Sequence, residues 1–239
     1  MTFEAPAALD DAEAAAFLFP FHLAYLGLHE RGRLRADETV LVHAAAGGVG
    51  SAAVQLAVAA GARVIATAGG AAKVELVEQL GAEVVVDYRA EPFAPRVLAA
   101  TDGRGVDVCF DGVGGAVTIE SLRCLGRNGR HLVIGFASGI EAEDIPTITG
   151  RMLCFGNFDV VGVILSYSDV GPDHGTGPGP RFNGQPTEVG RRVHGALLEL
   201  LAEGAIRPIV GTRVPFEELP QALEDMEARS TVGRVVIER

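Results

Sequence analysis

No tryptophan occurs in these 239 residues, and aromatic side chains make up only 6% of them. Aromatic-rich β-sandwich cores are therefore poor matches, whereas the dominance of Ala, Val, Leu and Gly suits a parallel α/β sheet buried on both faces. Cysteine is equally sparse. Cys109, Cys124 and Cys154 stand apart without CxxC spacing, an odd set that supports neither a disulfide framework nor a structural zinc site. They read as reduced thiols, mostly buried. Basic residues are outnumbered, leaving a formal net charge of −11 that repels phosphate backbones and anionic membrane surfaces. Nucleic acid and membranes are thus not expected partners, while a small anion held by a local site stays open. No apolar run is long enough to span a bilayer, and Met1 to Asp11 lacks the basic start of a signal peptide. A cytoplasmic location is the resulting expectation.

What is present is a hydrophobic content of 48%, enough for one large domain or one plus part of a second. Ala12 to Arg31, interrupted by Pro20, predicts a short helix and then another from about Phe21. Thr39 to His43 is a β-branched run ahead of glycines and reads as the first buried strand. Helices then alternate with strands. The helices are Gly48 to Ala60, Ala72 to Leu80, about Pro92 to Ala100, and Ala116 to Leu125; the strands are Arg63 to Thr67, Glu83 to Val86, Val106 to Phe110, His131 to Ile134, and Val160 to Val163. Such alternation implies βαβ crossovers and a doubly wound parallel sheet, the Rossmann arrangement. Ser168 to Pro186 carries a dense Gly/Pro cluster and reads as a loop. Beyond it come a helix from Glu188 to Glu203, a strand from Ile206 to Val210, a helix from Phe216 to Ala228 and a strand from Val232 to Glu238, a tail that does not extend the alternation. The chain divides accordingly into leading helices (1–38), a dinucleotide-binding domain (39–167), a Gly/Pro-rich loop (168–187) and a C-terminal segment (188–239).

The main chemical signal is Ala45-Ala46-Gly47-Gly48-Val49-Gly50, which follows the first strand and opens a helix. Against the dinucleotide fingerprint, Ala45 takes the first glycine position, Gly47 the second and Gly50 the third. Gly47 permits close approach to a pyrophosphate, Gly50 permits tight packing of helix on strand, and the helix from Gly48 offers free N–H groups and a positive dipole end. The plain alternative is a Gly-rich turn without a ligand. In NAD sites a carboxylate about twenty residues on receives the ribose 2′-OH. Here that position falls at Thr67-Ala68-Gly69-Gly70, where there is none, and Lys73 just beyond offers countercharge for a 2′-phosphate. Taken alone, Lys73 reads equally well as a solvated helix residue. The missing carboxylate favours NADPH.

Together with Lys73 and Asp87-Tyr88-Arg89, the loop resembles the zinc-independent quinone oxidoreductase branch of the medium-chain dehydrogenase/reductase superfamily. Further matching stretches are Gly105 to Val108, Asp111 to Gly115, Ile134 to Gly139 and Thr231 to Val236, so the resemblance runs from about Phe19 to the end. It implies that Gly69, Lys73 and Tyr88 surround the 2′-phosphate, that Val113 lies beside the cofactor, and that Ile134, Gly135 and Phe136 follow its nicotinamide half. Ala46, Gly48, Val49, Thr67, Asp111 and Arg234 complete the candidate cofactor set. By itself Tyr88 is an ordinary aromatic after a strand; its combination with Lys73 favours the phosphate role.

The sequence also departs from that family. A GroES-like catalytic domain normally precedes the stretch matching Phe19, and nothing here resembles it; the tail from about Glu188 resembles the part of the family chain that returns to that domain. Leu23 stands where relatives often place Thr. The resemblance implies hydride transfer from NADPH to a quinone or an α,β-unsaturated carbonyl compound, without a metal. His29-Glu30 lacks further ligands at zinc spacing and reads as a solvated pair. Ser121, Ser138 and Ser166 occupy no GxSxG elbow, and the six histidines form no recognisable triad. His43 reads as structural, and no catalytic side chain or proton donor emerges. Two alternatives stay open: a catalytically silent NADPH-binding module, and an enoyl-thioester reductase. The apolar late strand near Val160 to Leu165 implies pairing across a two-fold axis in a homodimer.

Overall fold

The computed structural model describes residues 1–139, 148–169 and 183–238. The chain opens with α1 (Asp11–Tyr25), started by a capping box in which Asp10 Oδ1 accepts from Glu13 N at 2.8 Å and Glu13 Oε2 accepts from Asp10 N at 3.1 Å. Pro20 does not break this helix, contrary to the expectation of two helices. Only one ladder donor is lost, and the pyrrolidine ring is buried. The helix then widens into a π-helical turn, Leu26–Arg31.

The alternating core follows: β1 (Thr39–Val42), α2 (Gly48–Ala59), β2 (Arg63–Ala68), α3 (Ala71–Gln79), β3 (Val84–Asp87), α4 (Phe93–Ala100), β4 (Val106–Asp111), α5 (Ala116–Leu122), β5 (Leu125–Val133), α6 (Gly150–Gly156) and β6 (Asp159–Gly162). The six strands form one parallel sheet in the order β3-β2-β1-β4-β5-β6. This is the doubly wound Rossmann order, with its switch point between β1 and β4. Successive strand residues point to opposite faces. Val40, Val42, Val64, Ala66, Val108 and Phe110 therefore pack under α1 and α2, whereas Leu41, Ile65 and Cys109 pack with Val97 and Phe93 of α4 on the other side.

Two boundaries differ from expectation inside this core. The helix expected to reach Leu125 stops at Leu122, because Cys124 N closes back on Ser121 O at 2.9 Å, and β5 begins at Leu125. The short helix α6 was not foreseen; Thr149 caps it and Asn157 ends it in a left-handed conformation. Cys109 and Cys124 are buried free thiols, whereas Cys154 on α6 is exposed.

After β6 come α7 (Thr187–Ala202), β7 (Val210–Pro215), α8 (Leu219–Glu227) and β8 (Arg234–Glu238). The strand expected at Ile206 to Val210 lies later, since the side-chain amide of Gln55 takes the backbone pairing of Arg207 through Arg207 N to Oε1 at 2.7 Å and Nε2 to Arg207 O at 3.0 Å. The parallel pair β7-β8 joins α1 through Arg213, whose guanidinium holds Asp10 at 2.6 Å and Glu238 at 2.9 Å. Most of the expected Gly/Pro loop, including Gly171-Pro172 and Gly177 to Pro180, lies outside the described residues. Among the described residues no helix is long and apolar enough to cross a membrane.

Candidate functional site

The turn after β1 is set by backbone. Ala44 adopts φ +50°, and its carbonyl accepts from Gly47 N at 3.0 Å. A methyl group on Gly50 would lie 2.2 Å from that same carbonyl oxygen and 2.8 Å from the Ala45 Cα, so only glycine lets the first turn of α2 press onto this loop. The open first turn of α2 then presents its N–H groups at the carboxyl edge of the sheet. Arg234 covers the loop from the far end of the chain: its Cδ stands 2.3 Å from where a Gly48 side chain would begin, and Gly233 N donates to Ala46 O at 2.7 Å.

A cleft of about 740 Å³ opens beside this loop, in the size range of small-molecule and cofactor sites. Seven of the candidate residues line it: Ala46, Gly47, Thr67, Gly69, Lys73, Tyr88 and Val113. At one end the Tyr88 hydroxyl rests over the Gly69 backbone, where an added methyl group would lie 2.5 Å from it. Arg89 Nε lies 3.1 Å from the same point. Burial first, and then the charge of Arg89, lower the Lys73 pKa. Lys73 is also the only lysine in the chain. The nearest strand-end carboxylate, Asp87, is turned to backbone, accepting from Gly70 N and Arg89 N at 3.0 Å each. Those two hydrogen bonds, and to a lesser degree the charge of Arg89, lower its pKa.

Asp111 does not line the cleft. It is buried at the end of β4, where Oδ1 accepts from Val113 N at 2.8 Å and Gly114 N at 3.0 Å, and Oδ2 accepts from Thr118 Oγ1 at 2.5 Å. Burial alone would raise its pKa, but His131, His43 and Thr118 outweigh that and hold it well below the usual carboxylate range. His131 Nε2 approaches Oδ2 at 3.2 Å without hydrogen-bond alignment. Asp111 therefore shapes the loop that carries Val113.

His43 is a nearly buried part of the cleft floor. Ser121 Oγ donates to Val117 O at 2.7 Å, so it accepts from His43 Nε2 at 2.7 Å, which leaves Nδ1 to accept from Thr67 Oγ1 at 3.0 Å. Burial pushes the His43 pKa down to about 4. The ring is thus a neutral brace between β2 and α5, in keeping with a structural role.

The remaining candidates stand around the cleft. Gly48, Val49, Gly50 and Arg234 belong to the glycine-rich loop and its cover, outside the lining itself. Ile134 does not face the cleft: its Cδ1 packs on Gly27 beside Phe110. Gly135 abuts Gly112, and Phe136 is 49% exposed. The next residues, Ala137 and Ser138, do reach the cleft, tied there by Ala137 N to Gly112 O at 3.1 Å and Ser138 N to Val113 O at 2.9 Å. Sequence reasoning missed these and the far wall, formed by Met226, Glu227, Arg229 and Thr231. No local pattern marks that wall, because it is brought there by folding of the tail.

His29 and Glu30 are not a solvated pair: both are half-buried, His29 against Tyr25 at 4.4 Å between ring centroids and Glu30 in an ion pair with Arg192 at 2.7 Å. Among the described residues no group of three or more His, Cys, Asp or Glu side chains is placed to hold a metal ion.

Known proteins match this arrangement. Residues 48–173 fit the family model described as zinc-binding dehydrogenase. A phthioceranic/hydroxyphthioceranic acid synthase of Mycobacterium bovis is 45% identical over 130 residues, 54% of this chain but 6% of that protein. A quinone oxidoreductase-like protein 2 homolog of Nematostella vectensis is 32% identical over 97% of this chain and 59% of its own length. Among solved structures, a mycobacterial protein complexed with NADPH is 30% identical with a TM-score of 0.80, and the match covers 98% of this chain and 66% of that one. The CurK enoyl reductase is 27% identical with a TM-score of 0.77, over 98% and 64%. The chain thus spans under two thirds of the length of each of these proteins. The matched family model, the strand order and the glycine-compelled turn after β1 agree, and the chain belongs to the zinc-binding dehydrogenase family of the medium-chain dehydrogenase/reductase superfamily.

Proposed function

We propose that the chain binds NADPH along the carboxyl edge of its sheet and serves, without a metal, in hydride transfer to a quinone or an α,β-unsaturated carbonyl compound. The observation that supports the cofactor reading is that Gly69, Lys73 and Tyr88 line one cleft, with Arg89 Nε against the Gly69 turn, while the Asp87 carboxylate accepts from backbone N–H groups. A free carboxylate is what a ribose 2′-OH needs, and a cation such as Lys73 is what a 2′-phosphate needs.

In this reading Gly69, Lys73 and Tyr88 hold the 2′-phosphate, with Arg229 on the facing wall. Ala46, Gly47, Gly48 and Val49 at the start of α2 hold the pyrophosphate, and Gly50 lets them approach it. Arg234 covers them. Thr67 and Val113 flank the adenosine side, Asp111 fixes the loop bearing Val113, and Ile134, Gly135 and Phe136 lead the chain past the nicotinamide half. The bound group supplies the hydride; the protein orients it and excludes water.

A second reading, reduction of an enoyl thioester, is favoured by the likeness to CurK enoyl reductase. Stopped-flow oxidation of NADPH with a benzoquinone and, separately, with crotonyl thioesters tests both. Turnover with quinone supports the first, turnover with thioester alone supports the second, and binding without turnover identifies a silent module.

A homodimer belongs to the same proposal. β6 is the open edge of the sheet, and Ile164 beyond it is 45% exposed. Light scattering that shows only a 24.9 kDa species refutes it. The division into segments 1–38, 39–167, 168–187 and 188–239, and a cytoplasmic place of action, are parts of this reading too.

A further inference from the structure

Lys73 does not extend freely from α3. Its ammonium donates to the carbonyl oxygen of Arg229 at 2.7 Å, a partner 156 residues away in sequence. That carbonyl comes from the turn that ends α8. Ser230 N returns to Asp225 O at 3.0 Å and Arg229 N to Met226 O at 3.0 Å, the double bond of a Schellman turn. The left-handed residue of such a turn is usually glycine, yet here it is Arg229, at φ +54°. The same stretch is pinned at its other end on the phosphate loop, through Gly233 N to Ala46 O at 2.7 Å. Both anchors of the tail therefore fall on points where the cleft is to meet phosphate.

We propose that the Arg229 turn is a positioning element: its left-handed backbone aims one carbonyl at Lys73 and holds the ammonium ready for a 2′-phosphate, so that the C-terminal tail sets the preference for 2′-phosphorylated dinucleotides. The inference rests on the NADPH reading above. An ammonium has three donors, and a single backbone acceptor leaves two for phosphate oxygens. A lysine already held loses less rotamer freedom on binding than one that must be gathered from solvent. The Arg229 guanidinium lies on the same wall, so the test has to separate backbone from charge.

Arg229→Asn and Arg229→Val both remove the charge, but Asn accepts the left-handed conformation and the β-branched Val resists it. Two measurements on the full chain compare them, with circular dichroism confirming that both are folded. The first is the ratio of NADH to NADPH dissociation constants, expected to fall about tenfold further in Arg229→Val than in Arg229→Asn, given roughly 1–2 kcal/mol for forcing an L-residue into that region. The second uses the uniqueness of Lys73. Isotopic reductive methylation gives one side-chain resonance, which is expected to titrate at lower pH in Arg229→Val, because the carbonyl that stabilises the charged form is lost. Equal ratios and equal titrations in the two variants overturn the proposal. If the wild-type chain binds NADPH and NADH alike, the cofactor reading fails instead, and the Lys73 titration alone decides whether the turn positions the ammonium.

Discussion

The Tyr88 hydroxyl occupies the space that a side chain at position 69 would take, 2.5 Å from an ideal Cβ on Gly69. Glycine at this turn is therefore a condition for placing Tyr88, and the pair should respond together. Gly69→Ala, which displaces the ring, and Tyr88→Phe, which removes only the hydroxyl, are each expected to weaken NADPH binding about tenfold, the value of one hydrogen bond to a charged group. The thermal midpoint should change little, since Tyr88 is 40% exposed. Calorimetric titration beside a melting curve checks both, and a large loss of stability with unchanged affinity contradicts the assignment.

A buried ion pair supports the entry to β1. Arg130 Nη1 and Nη2 donate to Glu38 Oε1 and Oε2 at 2.8 and 2.6 Å, and Arg130 Nε donates to Gly32 O at 2.9 Å. Burial would raise the Glu38 pKa, but Arg130 and the Arg35 backbone outweigh it and hold it at about 2. Arg130→Met leaves the buried Glu38 carboxylate with only the exposed Arg35 as its cationic partner, at 3.1 Å, and is expected to cost about 3 kcal/mol. Urea denaturation measures this. Replacing both residues with apolar ones should recover much of the loss.

Acid should loosen the molecule well before its carboxylates titrate. His43 and His22 are held neutral, with pKa values near 4, mainly by burial; the neighbouring His194 lowers His22 further. Their folded values lie below the unfolded value of about 6.5, so the unfolded chain binds more protons between pH 6.5 and 4. Stability is fully present above pH 6.5 and is lost as pH falls through that window. The urea midpoint should therefore drop between pH 7 and pH 5, and His43→Asn should flatten the dependence. An unchanged slope in this variant would show that His43 is not buried neutral.

The core of the fold was legible because its signals are local. Thr39 to Val42, followed by Ala45 to Gly50, announces a strand, a tight turn and a helix within a dozen residues, and the steric reason for Gly50 is contained in that span. The tail was legible only in part. Gln55 replaces strand pairing at Arg207 and delays β7, a substitution no periodicity reveals. The helix runs through Pro20 against the local rule, because the ring is buried among neighbours. Lys73 and Tyr88 could be named from spacing and resemblance, whereas the Arg229 wall depends on a contact made across the whole Rossmann domain.

The most direct test is a fluorescence titration of wild-type chain and Lys73→Ala with NADPH and with NADH. The account predicts tighter binding of NADPH by the wild type, and a loss of about 10- to 100-fold for NADPH alone in the variant, the value of a charge-assisted contact of roughly 1.5–3 kcal/mol. Equal binding of the two dinucleotides, or a variant that loses both equally, would contradict it.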